Sequence, residues 1–164
     1  MMPHTIYIAL GTNLGDRLSN LRAAIAAFTP QIAVTAESSI YETEPWGFAD
    51  QPAFLNMVVR AETEFSPPEL LHHLKNLEST LGRIPTFRNG PRQIDLDILF
   101  YDDLILNTPS LVIPHPRLHE RAFVLVPLAE IAPGLTHPLL GQGVAQLLET
   151  VARQGVEKYE DEVG

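Results

Sequence analysis

Along this chain the spacing of apolar residues switches between two periods, and the switches mark the elements. Thr5-Ile6-Tyr7-Ile8-Ala9-Leu10 is a short β-rich run, stopped by Gly11-Thr12-Asn13-Leu14-Gly15-Asp16. Asp16 predicts the N-cap of a helix through about Phe28, in which Leu18, Leu21, Ile25 and Phe28 share one face. Ile32 to Tyr41 reads as a second strand, with Ile32, Val34 and Ala36 alternating, and Phe54 to Ala61 as a third. Ser66-Pro67-Pro68-Glu69 is a helix start: a serine cap, a proline at the first position, and a glutamate completing a capping box. Leu70, Leu71, Leu74, Leu77 and Leu81 form the buried stripe of that helix, which Gly82 ends. Asp95 to Leu106 reads as a fourth long strand, turning at Asp102-Asp103. Pro109 to Pro116 is extended, Phe123 to Ile131 and Gly143 to Val151 are short helices, and a polar, acidic tail starts at about residue 154.

The order βαββαβ predicts an α+β domain with a ferredoxin-like core, an antiparallel sheet carrying helices on one face, plus C-terminal additions. With 164 residues the chain is expected to be one domain, 1–164. Two helices cover one face of such a sheet, so a site is expected in the loops at its edge and open face.

Composition narrows the function. The net charge of −9 argues against a general nucleic-acid binder. No apolar run approaches the roughly 20 residues of a membrane span. With no cysteine there is neither a disulfide framework nor a thiolate ligand or nucleophile. A start without a basic, secretory n-region points to a cytoplasmic protein, and a monomer is expected. Within this acidic chain, nine of the eleven basic residues are arginine, and Arg83, Arg88, Arg92, Arg117 and Arg121 lie in one 39-residue window. A local cationic pocket of this kind focuses a small polyanion, and the planar guanidinium fork suits phosphate.

The chemistry centres on Gly90-Pro91-Arg92-Gln93-Ile94-Asp95-Leu96-Asp97-Ile98-Leu99. In a strand, Asp95 and Asp97 point to one face. Paired carboxylates repel unless a cation intervenes, and oxygen ligands of this kind suit Mg²⁺ that completes its shell with substrate phosphates. A second group combines aromatics (Trp46, Phe54, Phe123) with an amide and a carboxylate (Asn56, Glu78), which fits a flat heteroaromatic ring held between aromatics and read on its edge. The glycine turn at 11–15 matches neither the dinucleotide-binding nor the Walker fingerprint. A ferredoxin-like binding module would explain the sheet without the aspartates. A Mg²⁺-dependent phosphohydrolase would explain the aspartates and arginines without the aromatic pocket.

The run RNGPRQIDLDIL from Arg88 to Leu99 resembles the signature of the 6-hydroxymethyl-7,8-dihydropterin pyrophosphokinase family. The likeness extends over ALGTNLGD at 9–16, YETEPWG at 41–47, DQPAFLN at 50–56, LESTLGR at 77–83 and IPHPRLHERAFVLVPLAEIAP at 113–133. The resemblance implies transfer of diphosphate from MgATP to the hydroxymethyl group of the pterin, with AMP released, as a step of folate biosynthesis. It implies that Asp95 and Asp97 bind two Mg²⁺ ions and that Arg83 and Arg92 are catalytic arginines contacting phosphates. Glu78, Arg88, Ile98, His115 and Arg121 would lie at the ATP. Arg117 would either contact nucleotide or pair with Glu120. Asn56 and the Thr43-Glu44-Pro45-Trp46 stretch would read the pterin edge, with Phe54 and Phe123 sandwiching the ring and Asp95 near its hydroxyl. Asn89 stands where some relatives carry tryptophan, and Phe54 where tyrosine is frequent.

Overall fold

A computed structural model describes residues 3–43, 53–82, 93–152 and 155–159. Strand β1, His4–Thr12, leads into helix α1, Arg17–Phe28, whose cap is Asp16: its carboxylate accepts the backbone N–H of Ser19 at 3.1 Å. Strand β2 is Ile32–Glu37, and β3 follows as a separate piece, Tyr41–Thr43. Thus the single strand expected from Ile32 to Tyr41 is broken. At the break, the Ser38 hydroxyl accepts from the backbone N–H of Val58 at 2.9 Å, replacing a ladder bond with a side-chain bond. Strand β4, Phe54–Thr63, precedes α2, Pro67–Gly82. The capping box at the start of α2 forms as the spacing requires: Ser66 N–H donates to Glu69 and Glu69 N–H donates back to the Ser66 hydroxyl, at 2.8 and 3.3 Å.

Strand β5 is Asp95–Tyr101, shorter than expected because the chain turns at Asp102. That residue takes a left-handed φ of 49°, and its carboxylate accepts from the N–H of Thr5 and contacts His4 Nδ1. A two-stranded ribbon of β6, Leu106–Asn107, and β7, Val112–Ile113, follows. Helices α3, Ala122–Ile131, and α4, Val144–Glu149, come next. Val156–Lys158, read from composition as tail, forms a last strand, β8, on β3.

The main sheet runs β5-β1-β4-β3-β8, with β2 also on β4, and every pairing is antiparallel. Its two faces carry separate cores. On one, Leu21, Ala24 and Phe28 of α1 and Leu70 and Leu74 of α2 pack on Ile6, Ile8, Leu10, Leu55 and Leu96. Each of the Leu, Ile and Phe side chains among them gains roughly 1.5–3 kcal/mol on full burial. On the other, Val124, Leu125 and Leu128 of α3 and Val144, Leu147 and Leu148 of α4 pack on Tyr7, Val58, Leu99 and Phe100. The two core helices α1 and α2 thus share one face as expected, while the expectation that the other face is open is corrected, because α3 and α4 cover it. The segment AFVLVPLAEI is apolar nearly all round and can be stable only if it is covered on several sides.

The register of β1 with β5 shifts between Tyr7 and Ile8, where Leu99 is the surplus residue. As a result Ile98 and Tyr101 join the first core, while Leu99 and Phe100 both join the second.

Candidate active site

Strand register alone places the candidate residues in rows across the sheet. Asp95 lies opposite Gly11, Gly11 opposite Asn56, and Asn56 opposite Tyr41, a row across four strands on one face. The next row is Asp97, Ala9 and Val58, and Val58 already belongs to the second core. Both aspartates thus stand on the face that α3 and α4 cover, beside the end of that cover rather than on an open sheet.

Helix α3 brings the cation. Arg121, at its N-cap, is within electrostatic reach of Asp97 and Asp95 and holds its guanidinium 5.5 Å from the ring centroid of Phe123. From the other side of β5, Glu78 of α2 accepts the backbone N–H of Leu96 at 2.8 Å, and Lys75 lies 3.8 Å from the same carboxylate. Burial, together with the neighbouring Asp95, pushes the Glu78 carboxyl up to about 7 against the pull of the Leu96 N–H. Asp97 is also raised, first by burial and then by Glu78, with Arg121 and Lys75 opposing. Glu78, Asp95 and Asp97 crowd together with Arg121 and Lys75 beside them, and crowded carboxylates of this kind favour a bound cation. Hard oxygen donors on one strand face fit Mg²⁺. Among the described residues no group of three or more His, Cys, Asp or Glu converges as a complete metal cage.

His115 is held by its own backbone, its N–H donating to the carbonyl of Leu99 at 3.0 Å. Its Nδ1 accepts the N–H of Arg117 at 3.1 Å, so the neutral ring carries its proton on Nε2. Burial, then Arg121 and Arg117, press its pKa down to about 4. With Asp97, Lys75 and Pro116 it lines a cavity of about 260 Å³ beside β5. Arg117 pairs with Glu120 at 3.4 Å and also acts on His115. Ile98 lines the same cavity, but its side chain is buried in the first core and offers only a wall. His119, four residues on from His115, faces the ring of His137 at 6.4 Å.

At the other end of the row, Asn56 is 8% exposed and donates its Nδ2–H to the Thr43 hydroxyl at 2.7 Å. Its Oδ1 leans over Gly11, where an added β-carbon would stand only 3.0 Å from it. Phe54 pairs with Thr43 in register and lies next to Gly11 as well. Phe123 packs against the second core, on the same side of the sheet. Glu44, Pro45, Trp46, Arg83, Arg88, Asn89 and Arg92 lie outside the described residues.

The chain from residue 7 to 133 matches the family described as 7,8-dihydro-6-hydroxymethylpterin-pyrophosphokinase. The chain belongs to this family. It is 50% identical over 132 residues to the 2-amino-4-hydroxy-6-hydroxymethyldihydropteridine pyrophosphokinase of Bacillus subtilis, covering 79% of each chain. It is 43% identical over 153 residues to the folic acid synthesis protein fol1 of Pneumocystis carinii, covering 93% of this chain but only 21% of that one. The chain therefore spans about a fifth of the longer folate-synthesis relatives it matches. Its fold is similar to that of Plasmodium falciparum HPPK-DHPS, with a TM-score of 0.72 at 17% identity, covering 90% of this chain and 45% of that one.

Sequence reasoning overlooked Lys75, Arg17 and the Tyr41–Glu130 pair. Lys75 had a signal, its i,i+3 spacing from Glu78. Arg17 and Tyr41 had none, because their partners lie 25 and 89 residues away.

Proposed function

We propose that this member of the pyrophosphokinase family transfers an intact diphosphate from ATP to the hydroxymethyl group of 6-hydroxymethyl-7,8-dihydropterin, releasing AMP. One observation carries the assignment of the site: the row Asp95–Gly11–Asn56, which sets a carboxylate and a ring-reading amide on one sheet face, two strands apart. At strand spacing this is on the order of 10 Å, the span from the edge of a pterin to a phosphate beyond its substituent. Gly11 between them contributes no side chain, so the floor of the site is backbone.

In this reading Asn56 and Thr43 hold the pterin edge, and Phe54 and Phe123 take its two faces. Asp95 and Asp97 hold two Mg²⁺ ions, which when bound neutralise phosphate charge and lower the pKa of the attacking hydroxyl. Arg121, His115 through its Nε2–H, and Arg117 meet the phosphates, joined by Arg83, Arg88 and Arg92. Glu78 supports the metal strand from behind through its bond to Leu96. The hydroxyl oxygen attacks the β-phosphorus in line, the bond from that phosphorus to the bridging oxygen breaks with its electron pair leaving on AMP, and the hydroxyl proton passes to Asp95 or Asp97, so positioning and charge do most of the chemistry. We also read the strand order, with β2 and β3 as one interrupted strand, as the ferredoxin-like βαββαβ arrangement.

Incubation with MgATP and the reduced pterin tests the proposal. AMP and pterin diphosphate are the expected products, whereas ADP or free phosphate would overturn it.

A further inference from the structure

Arg17 is the first residue of α1, yet its side chain leaves its own helix. A single nitrogen, Nη1, donates to Glu42 Oε2 at 2.7 Å and to the backbone carbonyl of Ala53 at 2.9 Å. The guanidinium carbon also lies 5.8 Å from the ring centroid of Tyr159, at the C-terminal end of β8. One half-buried cation, 26% exposed, thus joins three segments distant in sequence. An ordinary exposed ion pair contributes at most about 1 kcal/mol and has no consequence beyond itself. What distinguishes this one is the identity of its partners. Glu42 immediately precedes Thr43, Ala53 immediately precedes Phe54, and Thr43 and Phe54 face each other in register.

The pair also works from the opposite side of the sheet. Glu42 lies opposite Leu55, a residue of the first core, whereas Thr43 bonds to Asn56 on the far face. Strand β3 has only three residues, so few ladder bonds fix it on β4. Its outer edge is held by β8, and the next residue, Tyr159, donates its N–H to the carbonyl of Ile40 at 2.8 Å and sets its ring at Arg17.

We infer that Arg17 is a positioning residue for pterin recognition, setting β3 against β4 so that Thr43, Phe54 and Asn56 keep their mutual placement. The inference rests on the assignment of these three residues to the pterin. Loosening β3 moves Thr43 away from Phe54 and Asn56, which β4 carries, and so breaks their mutual placement. It leaves Asp95 and Asp97 untouched, because they are carried by β5 and held by β1 and Glu78. The effect of losing Arg17 is therefore selective for one substrate, which a general loss of stability would not be.

The test is steady-state kinetics of the intact chain with Arg17→Met, Arg17→Lys, Glu42→Gln and the double variant Arg17→Met/Glu42→Gln, at temperatures where each is folded. Expected is a rise in KM for the reduced pterin of about tenfold or more in Arg17→Met, the size that small misplacements produce. KM for ATP and kcat should stay within about twofold, Arg17→Lys should recover part of the loss, and the double variant should be no worse than Arg17→Met. A pterin KM unchanged in both Arg17→Met and Glu42→Gln would overturn the inference, as would equal losses for both substrates. Calorimetric titration of wild type with the pterin and a nonhydrolysable ATP analogue separates the two readings. If wild type does not bind the pterin, the functional assignment falls and the inference with it. If wild type binds and Arg17→Met binds equally well, only the inference falls.

Discussion

Gly11 sits directly opposite Asn56 across β1 and β4, so close that a β-carbon on it would stand 3.0 Å from the amide oxygen. The backbone φ of Gly11 is not left-handed, so its smallness matters for space and not for conformation. Gly11→Ala should therefore fold, at a cost of about 1–3 kcal/mol, while pushing Asn56 off its bond to Thr43. The expected result is a raised KM for the pterin with little change for ATP. A crystal structure of the variant with Asn56 unmoved and normal kinetics would contradict this.

Asp97 stands in the structure as a cost. Burial and the nearby Glu78 make its charge unfavourable. Asp97→Asn should leave the metal-free protein as stable as wild type or more so, and lower kcat by at least about 10²-fold. Thermal melting in the presence of a chelator, alongside turnover, checks both halves. A variant that is less stable and still active would reverse the argument.

Glu78 and His115 give opposite pH dependences. The folded pKa of Glu78, about 7, is above its ordinary 4.5. The folded state therefore holds the proton more tightly, and the stability this contributes is lost as pH rises from about 4.5 to about 7. The folded pKa of His115, about 4, is below its ordinary 6.5, so its contribution is present above pH 6.5 and lost as pH falls toward 4. Denaturant titrations from pH 4 to 7 without metal should show wild type losing stability relative to Glu78→Gln as pH rises. The difference between wild type and His115→Gln should grow. Parallel curves for either pair would refute the assigned shifts.

Tyr41 offers a spectroscopic check on the tie between the sheet and α3. Burial, followed by its hydrogen bond to Glu130 at 2.9 Å and the charge of that residue, raises its phenol to about 12. Glu130 also accepts from the backbone N–H and the hydroxyl of Ser39, at the break between β2 and β3. Glu130→Gln should bring one tyrosine back toward ordinary titration near 10 in an ultraviolet pH titration. It should also destabilise the protein by about 1–3 kcal/mol. An unchanged tyrosine titration would show that the bond does not govern the phenol.

Much of this was legible in the sequence, for identifiable reasons. The capping signals at Asp16 and Ser66, the leucine stripe of α2 and the i,i+2 aspartates are local patterns, and local patterns survive without knowledge of the fold. The two-sided cover of the sheet was not legible, because periodicity in AFVLVPLAEI shows that the helix is buried but not against what. The break in the second strand was hidden because Ser38 substitutes for a backbone partner on a strand 20 residues away. Strand β8 was hidden because a three-residue edge strand with an exposed glutamate and lysine has the composition of a tail.

The surplus residue in β5 separates two requirements that a regular strand would have to meet together. With Leu99 taken out of the ladder, Ile8 facing Ile98 and Tyr7 facing Phe100 would run on in unbroken alternation, and the aspartates would keep their face. What would go is the carbonyl that receives the His115 N–H. That one residue is therefore a mooring point. It lets the segment that carries His115 be fastened alongside the strand that carries Asp95 and Asp97 without either setting the register of the other, so the two ends of the proposed phosphate site can be tuned independently.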